Sequence, residues 1–367
     1  MESDENMREY REAKSAAKRA VSAAKVACYK HMYDELDTVD GEKKIYRIAR
    51  ARQRATEDLG HVMQIRDNSG RLLHHLPDIL NRWSEHCSVM CNEEFPHPSI
   101  PSAIPVLGPV PPIQEEEVAS TLAKMRNRRA PGPDNLPSKI WKIAEGEGTQ
   151  LITSFFSKLI VKGKLPETWT TSTTVPIWKG KGDVADCMTS RPIRLLCHTM
   201  KIFERVLDSR LRGIVGVTRN QCGSVKNCST TDAIHAVRLL TEKHREKNKA
   251  VHLAFLDPEK AFDKIRRGLI WLSLRDQGVR EEYVRWVQLL CRNVTSSVRN
   301  AAGTSVPFDV HVGVHQGSAL SPLLFILCMD TVSSDLQSRP PWTLLYADDA
   351  KVAASTIGEL QKEVQAW

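Results

Sequence analysis

Leu344-Leu-Tyr-Ala-Asp-Asp-Ala-Lys-Val352 is the stretch on which the fold turns. Two adjacent acids, Asp348 and Asp349, sit between apolar and aromatic residues. Such flanks favour strands, and the acids fall where a tight turn belongs. Two carboxylates at the tip of a buried hairpin need a compensating charge, and a divalent cation with oxygen ligands supplies one. An ordinary polar hairpin turn has the same pattern, so the pair alone does not separate the two readings. The residues upstream do.

Residues 251–265 read Val-His-Leu-Ala-Phe-Leu-Asp-Pro-Glu-Lys-Ala-Phe-Asp-Lys-Ile. The apolar run Leu253 to Leu256 ends in Asp257, which predicts a buried strand with a carboxylate at its C-terminal end. A plain strand-end acid or helix N-cap is the alternative. Phe262 follows within the same block. Between the acidic sites lies Val312-Gly-Val-His-Gln-Gly-Ser-Ala-Leu-Ser-Pro-Leu-Leu-Phe325. Its pattern predicts a strand, a Gly-Ser turn, and an apolar helix with Pro322 near its start.

Taken in order, the three blocks resemble the palm motifs of reverse transcriptases, and most closely those of non-LTR (LINE-type) retrotransposons. Further blocks agree: Ala130-Pro-Gly-Pro-Asp134, Leu165-Pro-Glu-Thr-Trp169, Val175-Pro-Ile-Trp-Lys-Gly-Lys-Gly-Asp183, Arg191-Pro-Ile-Arg-Leu-Leu196 and Lys201-Ile-Phe-Glu-Arg205. The resemblance is diffuse before Pro112 and most specific from Arg191 to Asp349. It implies an α+β fold: right-hand polymerase fingers and palm with a small, mainly antiparallel sheet, behind a helical N-terminal region. It also implies an RNA-directed DNA polymerase acting on an RNA template, a DNA primer and dNTPs inside the cell, as a nuclear or cytoplasmic ribonucleoprotein.

The chemistry implied is phosphoryl transfer assisted by two Mg²⁺ ions, with Mn²⁺ a possible substitute. By the resemblance Asp257 and Asp348 are the bridging ligands, and Asp349 is an auxiliary one. Phe262 would lie under the sugar of the incoming nucleotide and exclude a 2′ hydroxyl. Gln316 and Gly317 would meet the nucleotide and template, where glycine permits close approach and glutamine both donates and accepts. Lys179, Lys181 and Arg191 resemble the cations that hold the triphosphate, with Lys181 and Arg191 preferred. Read without the resemblance, Phe262 is a core aromatic and the lysines are solvated loop cations.

Composition fits this picture without requiring it. The chain has 367 residues, 41% of them hydrophobic, which rules out a largely disordered protein. Its 52 Lys and Arg outweigh 44 Asp and Glu, for a net charge of +8, which suits a polyanionic partner. No apolar run is long enough for a membrane span; the nearest, 319–329, is interrupted by Ser321-Pro322. The polar start is unlike a secretory signal. The 9 cysteines form no regular framework and read as free thiols. His86-Cys87 with Cys91 lacks the second ligand pair of a zinc site.

The organisation reads as a helical N-terminal region over 1–95, a linker over 96–112, fingers and the start of the palm over 113–250, and the palm over 251–367. Residues 5–35 are Ala-rich without Gly or Pro, which predicts a helix. Arg11, Lys14, Lys18 and Lys25 would form a basic stripe on it, either gripping RNA phosphates or simply solvated. Further helices are expected over Gly41–Asp58, Leu76–Cys91 and Glu115–Arg128. The linker holds 7 Pro, incompatible with a helix or central strand.

Departures from the family pattern qualify the resemblance. Pro258 follows Asp257, at the cost of a ladder hydrogen bond if that strand is central. Thr189-Ser190 replace the usual Asn-Tyr, Ser224 replaces a Phe, and Lys351 puts a charge in the strand leaving the acidic turn. A complete member would carry a helical thumb beyond Trp367 and an endonuclease before residue 1, so the resemblance implies a truncated copy with the thumb missing. Two rivals stay open: an inactive RNA-binding remnant, and a group II intron-type reverse transcriptase.

Overall fold

The computed structural model describes residues 2–34, 46–47, 50, 64–127, 129–143 and 146–367. It divides into two compact units, Met1–Val62 and Met63–Trp367. The first contains α1 (Glu2–Asp34), the helix expected from its alanine content. Arg11, Lys14, Lys18 and Lys25 are exposed on it. The helix expected over Gly41–Asp58 lies largely outside the described residues.

The second unit is α+β. It opens with a short hairpin, β1 (Ile65–Arg66) and β2 (Leu72–Leu73), followed by α2 (Leu76–Asn92). The Pro-rich stretch is extended and touches the fold through a bridge between Val106 and Arg280. Next come α3 (Glu115–Lys124), α4 (Ser138–Ile143), α5 (Glu147–Lys162) and α6 (Glu167–Thr170). Helix α3 stops short of Arg128, because Met125 turns extended and buries its side chain. After β3 (Thr171–Trp178) and β4 (Ser190–Leu195) follow α7 (His198–Leu211) and α8 (Thr230–Glu246).

The remaining elements are β5 (His252–Leu256), α9 (Ala261–Lys264), α10 (Arg267–Asp276), α11 (Glu281–Leu290), β6 (Val294–Asn300), β7 (Gly303–Thr304) and β8 (Phe308–Val310). They are followed by α12 (Ser321–Ser333), β9 (Thr343–Tyr346), β10 (Asp349–Ala354) and α13 (Ile357–Ala366). Among the described residues there are two sheets besides the first hairpin. One is antiparallel, in the order β5-β10-β9. The other runs β4-β3-β6-β7 with β8 also on β6, and only its β3–β6 pairing is parallel.

The core sits between α5, α7, α11 and α12. Phe156, Trp169, Phe203 and Trp286 meet there edge-on or tilted, with ring centroids 5.2–6.2 Å apart. Helix α12 is apolar on nearly every side and is buried over most of its length, with Val332 exposed near its end.

Two local expectations are corrected. Residues 312–314 are not a strand; β8 ends at Val310. The N–H groups of Gly313 and Val314 donate instead to the carbonyls of Ile265 and Phe262, at 2.7 and 3.0 Å. Strand β5 is also not fully buried. It is the edge of its sheet, and Phe255 is 71% exposed. Pro258 lies beyond the end of β5, so it costs the ladder no hydrogen bond.

Candidate active site

The acidic turn is built by register. Tyr346 pairs with Asp349, so Ala347 and Asp348 form a two-residue turn between β9 and β10. Ala347 has φ +56°, the left-handed value that a tight hairpin requires at such a position. On the other side of β10, Ala350 pairs with Leu256. Continuing that antiparallel register brings Asp257 opposite Asp349. Two chain segments far apart in sequence thus present their acids at one end of one sheet.

Their charges act on each other. Burial, then the neighbouring charges of Asp348 and Asp257, push the Asp349 carboxyl above its usual range. Among the described residues, no group of three His, Cys, Asp or Glu side chains is placed to hold a metal ion by itself. The acids form an open array of hard oxygen donors. That suits Mg²⁺, which keeps waters and borrows phosphate oxygens rather than filling its shell from protein.

A cavity of about 490 Å³ opens beside the turn. Its wall includes Asp257, Asp348, Phe262, Gln316, Gly317, Lys181 and Arg191, along with Lys179. Asp349 does not line it; that residue is exposed at the start of β10. Lys179 and Lys181 lie on the β3–β4 loop, which turns through Gly180 and Gly182 at φ +78° and +80°. Arg191 lies on β4 opposite Ile177. Gly317 is required sterically: a Cβ there would lie 2.4 Å from the Arg194 carbonyl oxygen.

Comparison with known proteins decides the family. The family model described as reverse transcriptase (RNA-dependent DNA polymerase) matches residues 179–367, just over half of the chain. The chain belongs to this family. It is 27% identical to the Putative 115 kDa protein in type-1 retrotransposable element R1DM of Drosophila melanogaster, over 93% of this chain and 32% of that protein. It is 28% identical to the RNA-directed DNA polymerase from mobile element jockey of the same species, over 67% of this chain and 27% of the relative. It is also 27% identical to the Retrovirus-related Pol polyprotein from type-1 retrotransposable element R2 of Popillia japonica, over 62% and 31%. The chain therefore spans about a third of the length of these relatives. Among solved structures, apo telomerase from Candida tropicalis truncated from its C-terminal domain covers 63% of this chain and 51% of its own, at 14% identity and TM-score 0.40. The chain is a reverse transcriptase domain homologous to the RNA-directed DNA polymerases of non-LTR retrotransposons.

In this reverse transcriptase domain the cavity floor rests on buried polar residues that the sequence did not single out. Gln316 Nε2 donates to Asp263 Oδ2 at 2.5 Å, and the Arg194 N–H donates to the Gln316 carbonyl at 2.7 Å. Arg194 is 3% exposed; it donates to His315 Nδ1 and to Cys91 Sγ. Arginine can only donate, so His315 Nδ1 must accept. Burial and the Arg194 charge hold His315 well below the usual imidazole range, in keeping with that role. Burial pushes Asp263 up to about 6, against the pull of Arg194 and the Gln316 hydrogen bond. Glu204, from α7, accepts from Ser318 Oγ and the Ala319 N–H at 2.7 and 2.8 Å, which fixes the turn into α12. Each of these acts across elements, and an isolated buried Arg, Asp or Glu in a motif gives no such signal. Lys351 is 5% exposed and donates to the Pro341 carbonyl at 2.6 Å. Burial lowers it to about 8.

Proposed function

We propose that this chain catalyses RNA-templated DNA synthesis, with the second unit as fingers and palm of a right-hand polymerase. The fingers would be built around β3, β4 and the helices before them, and the palm around the β5-β10-β9 sheet. The observation that carries the reading is the shared cavity wall: Asp257, Asp348, Phe262, Gln316, Lys181 and Arg191 border one space of nucleotide size.

The primer 3′ oxygen bonds to the α-phosphorus of the dNTP, and the bond to the β-phosphate oxygen breaks. Pyrophosphate leaves, and the hydroxyl proton passes to solvent. Asp257, Asp348 and Asp349 would hold two divalent cations, Mg²⁺ by preference. When bound, these ions activate the attacking hydroxyl and neutralise the charge on the leaving group. Arg191 forks onto the triphosphate and Lys181 meets it as a point charge. Phe262 closes the cavity under the sugar and selects against a 2′ hydroxyl. Gln316, oriented by Asp263, and the bare backbone of Gly317 take the nucleotide and its template partner. The basic side chains of α1 and the net charge suit the RNA backbone.

The test is primer extension by the full chain on an RNA template with Mg²⁺ and dNTPs, beside Asp348→Ala. Extension that disappears in the variant supports the reading. Extension that survives it removes Asp348 from the chemistry, and RNA binding without extension by a folded wild type identifies an inactive remnant instead.

A further inference from the structure

We propose that Gln221 is a positioning residue that locks the turn carrying Asp348. This rests on the reading of Asp348 as a cation ligand. The hairpin ladder stops at the Tyr346–Asp349 pair, so it supplies no partner for the backbone N–H and C=O of Ala347. Both are taken by one side chain. Gln221 Oε1 accepts from the Ala347 N–H at 2.9 Å, and Gln221 Nε2 donates to the Ala347 carbonyl at 3.3 Å. The same Oε1 accepts from the Gly223 N–H at 2.8 Å, which orients the amide. Gln221 is 3% exposed, so water does not compete for these bonds.

The second hydrogen bond matters most. The Ala347 carbonyl belongs to the peptide that joins Ala347 to Asp348. Rotation of that peptide interconverts turn types and changes φ at Asp348, and with it the rotamers open to the Asp348 side chain. Holding its oxygen selects one turn, while the bond to the Ala347 N–H helps keep that residue at φ +56°, a region that costs a non-glycine residue about 1 kcal/mol or more. Gln221 is itself held. The Leu345 N–H donates to the Asn220 carbonyl and the Cys222 N–H donates to the Leu345 carbonyl, each at 2.8 Å. Thr218 Oγ1 donates to Asp330 of α12 at 2.6 Å. Residues 218–223 therefore form a strap from α12 to the turn, and an amide of glutamine length on that strap offers the donor and acceptor that the turn lacks. Glutamate keeps the acceptor and loses the donor; methionine loses both.

The experiment compares the full chain as wild type, Gln221→Glu, Gln221→Met and Asp348→Ala. It reads the thermal unfolding transition, deuterium exchange in the peptide covering 344–350, and Mn²⁺ binding by electron paramagnetic resonance without nucleic acid. Gln221→Met is expected to unfold cooperatively, to exchange faster at 344–350 but not across the remaining palm, and to bind Mn²⁺ about tenfold more weakly. Gln221→Glu should exchange at an intermediate rate. Wild-type exchange at 344–350 in Gln221→Met, or wild-type Mn²⁺ affinity despite faster exchange, overturns the proposal. Should Gln221→Met not fold, Gln221→Glu decides, and wild-type exchange there overturns it equally. Mn²⁺ binding that survives Asp348→Ala counts against the ligand reading alone, since the exchange data still report on the turn.

Discussion

If the proposed polymerase reading holds, replacing Phe262 or the ring beneath it changes which sugar the chain accepts, by amounts the packing sets. Phe262 stacks on Phe325 with centroids 3.9 Å apart and planes 6° from parallel. Phe325 is fully buried on α12, and the Phe262 carbonyl accepts from the Val314 N–H at 3.0 Å. The Phe262 ring is therefore fixed from below and along its backbone, while it also lines the cavity. Phe262→Val removes the ring and makes room for one hydroxyl. Relief of a clash of that size is worth about 1–3 kcal/mol, or about 10–200-fold in discrimination. Phe325→Leu leaves the gate in place but unsupported. An aromatic pair contributes about 0.5–1.5 kcal/mol beyond its buried area, so discrimination should fall by about two- to tenfold. The assay is kcat/KM for adding dCTP and CTP opposite a template guanine. A ratio within about twofold of wild type in Phe262→Val would refute the gate, and a larger loss in Phe325→Leu than in Phe262→Val would refute the support argument.

Other substitutions probe the same scaffold. A Cβ at Gly223 would lie 2.2 Å from the Ala347 nitrogen, where about 3.4 Å is ordinary contact. Gly223→Ala must therefore displace the acidic turn by about 1 Å, lowering the extension rate about 100-fold and stability by about 1–3 kcal/mol; an unchanged rate would show that the strap is not rigid. Lys351→Met should stabilise the fold near pH 7 by about 2 kcal/mol, from about 3 for relieving a shift to about 8 less about 1 for the lost hydrogen bond. Because the folded-state value is depressed, the unfolded chain binds the extra proton between about pH 8 and 10.5, so wild-type stability should rise across that window and close the gap to the variant. Denaturant midpoints at pH 7 and pH 10 measure both effects, and a gap that does not narrow at the higher pH contradicts them.

What the sequence made legible was the placement of residues that lie within a motif. Asp257 ends an apolar run and Asp348 sits in a turn between two, so their positions follow from local patterning, and the register of β10 brings them together. Helix α1 followed from alanine content, and α2 falls on the expected Leu76–Cys91. The residues that support the site were not legible. Gln221 lies in a polar, glycine-containing stretch that reads as a loop, and its value comes from a turn more than a hundred residues later. Arg194 looks like an outward cation on a strand, yet it is buried against His315 from a loop and Cys91 from α2. Residues 312–314 alternate as a strand would, but their N–H groups are claimed by the turn carrying Phe262 and Asp263. Periodicity reports which side chains are apolar; it does not report which backbone groups have already found partners elsewhere.

The most direct test is single-nucleotide addition by rapid quench on a preformed RNA template with a DNA primer, comparing wild type with Asp257→Asn. Asparagine keeps the shape of the side chain and removes its charge. The account predicts addition by wild type that depends on Mg²⁺, and a rate lower by about 10²–10³-fold in the variant. A folded wild type that adds no nucleotide, or a variant within about twofold of wild type, would contradict it.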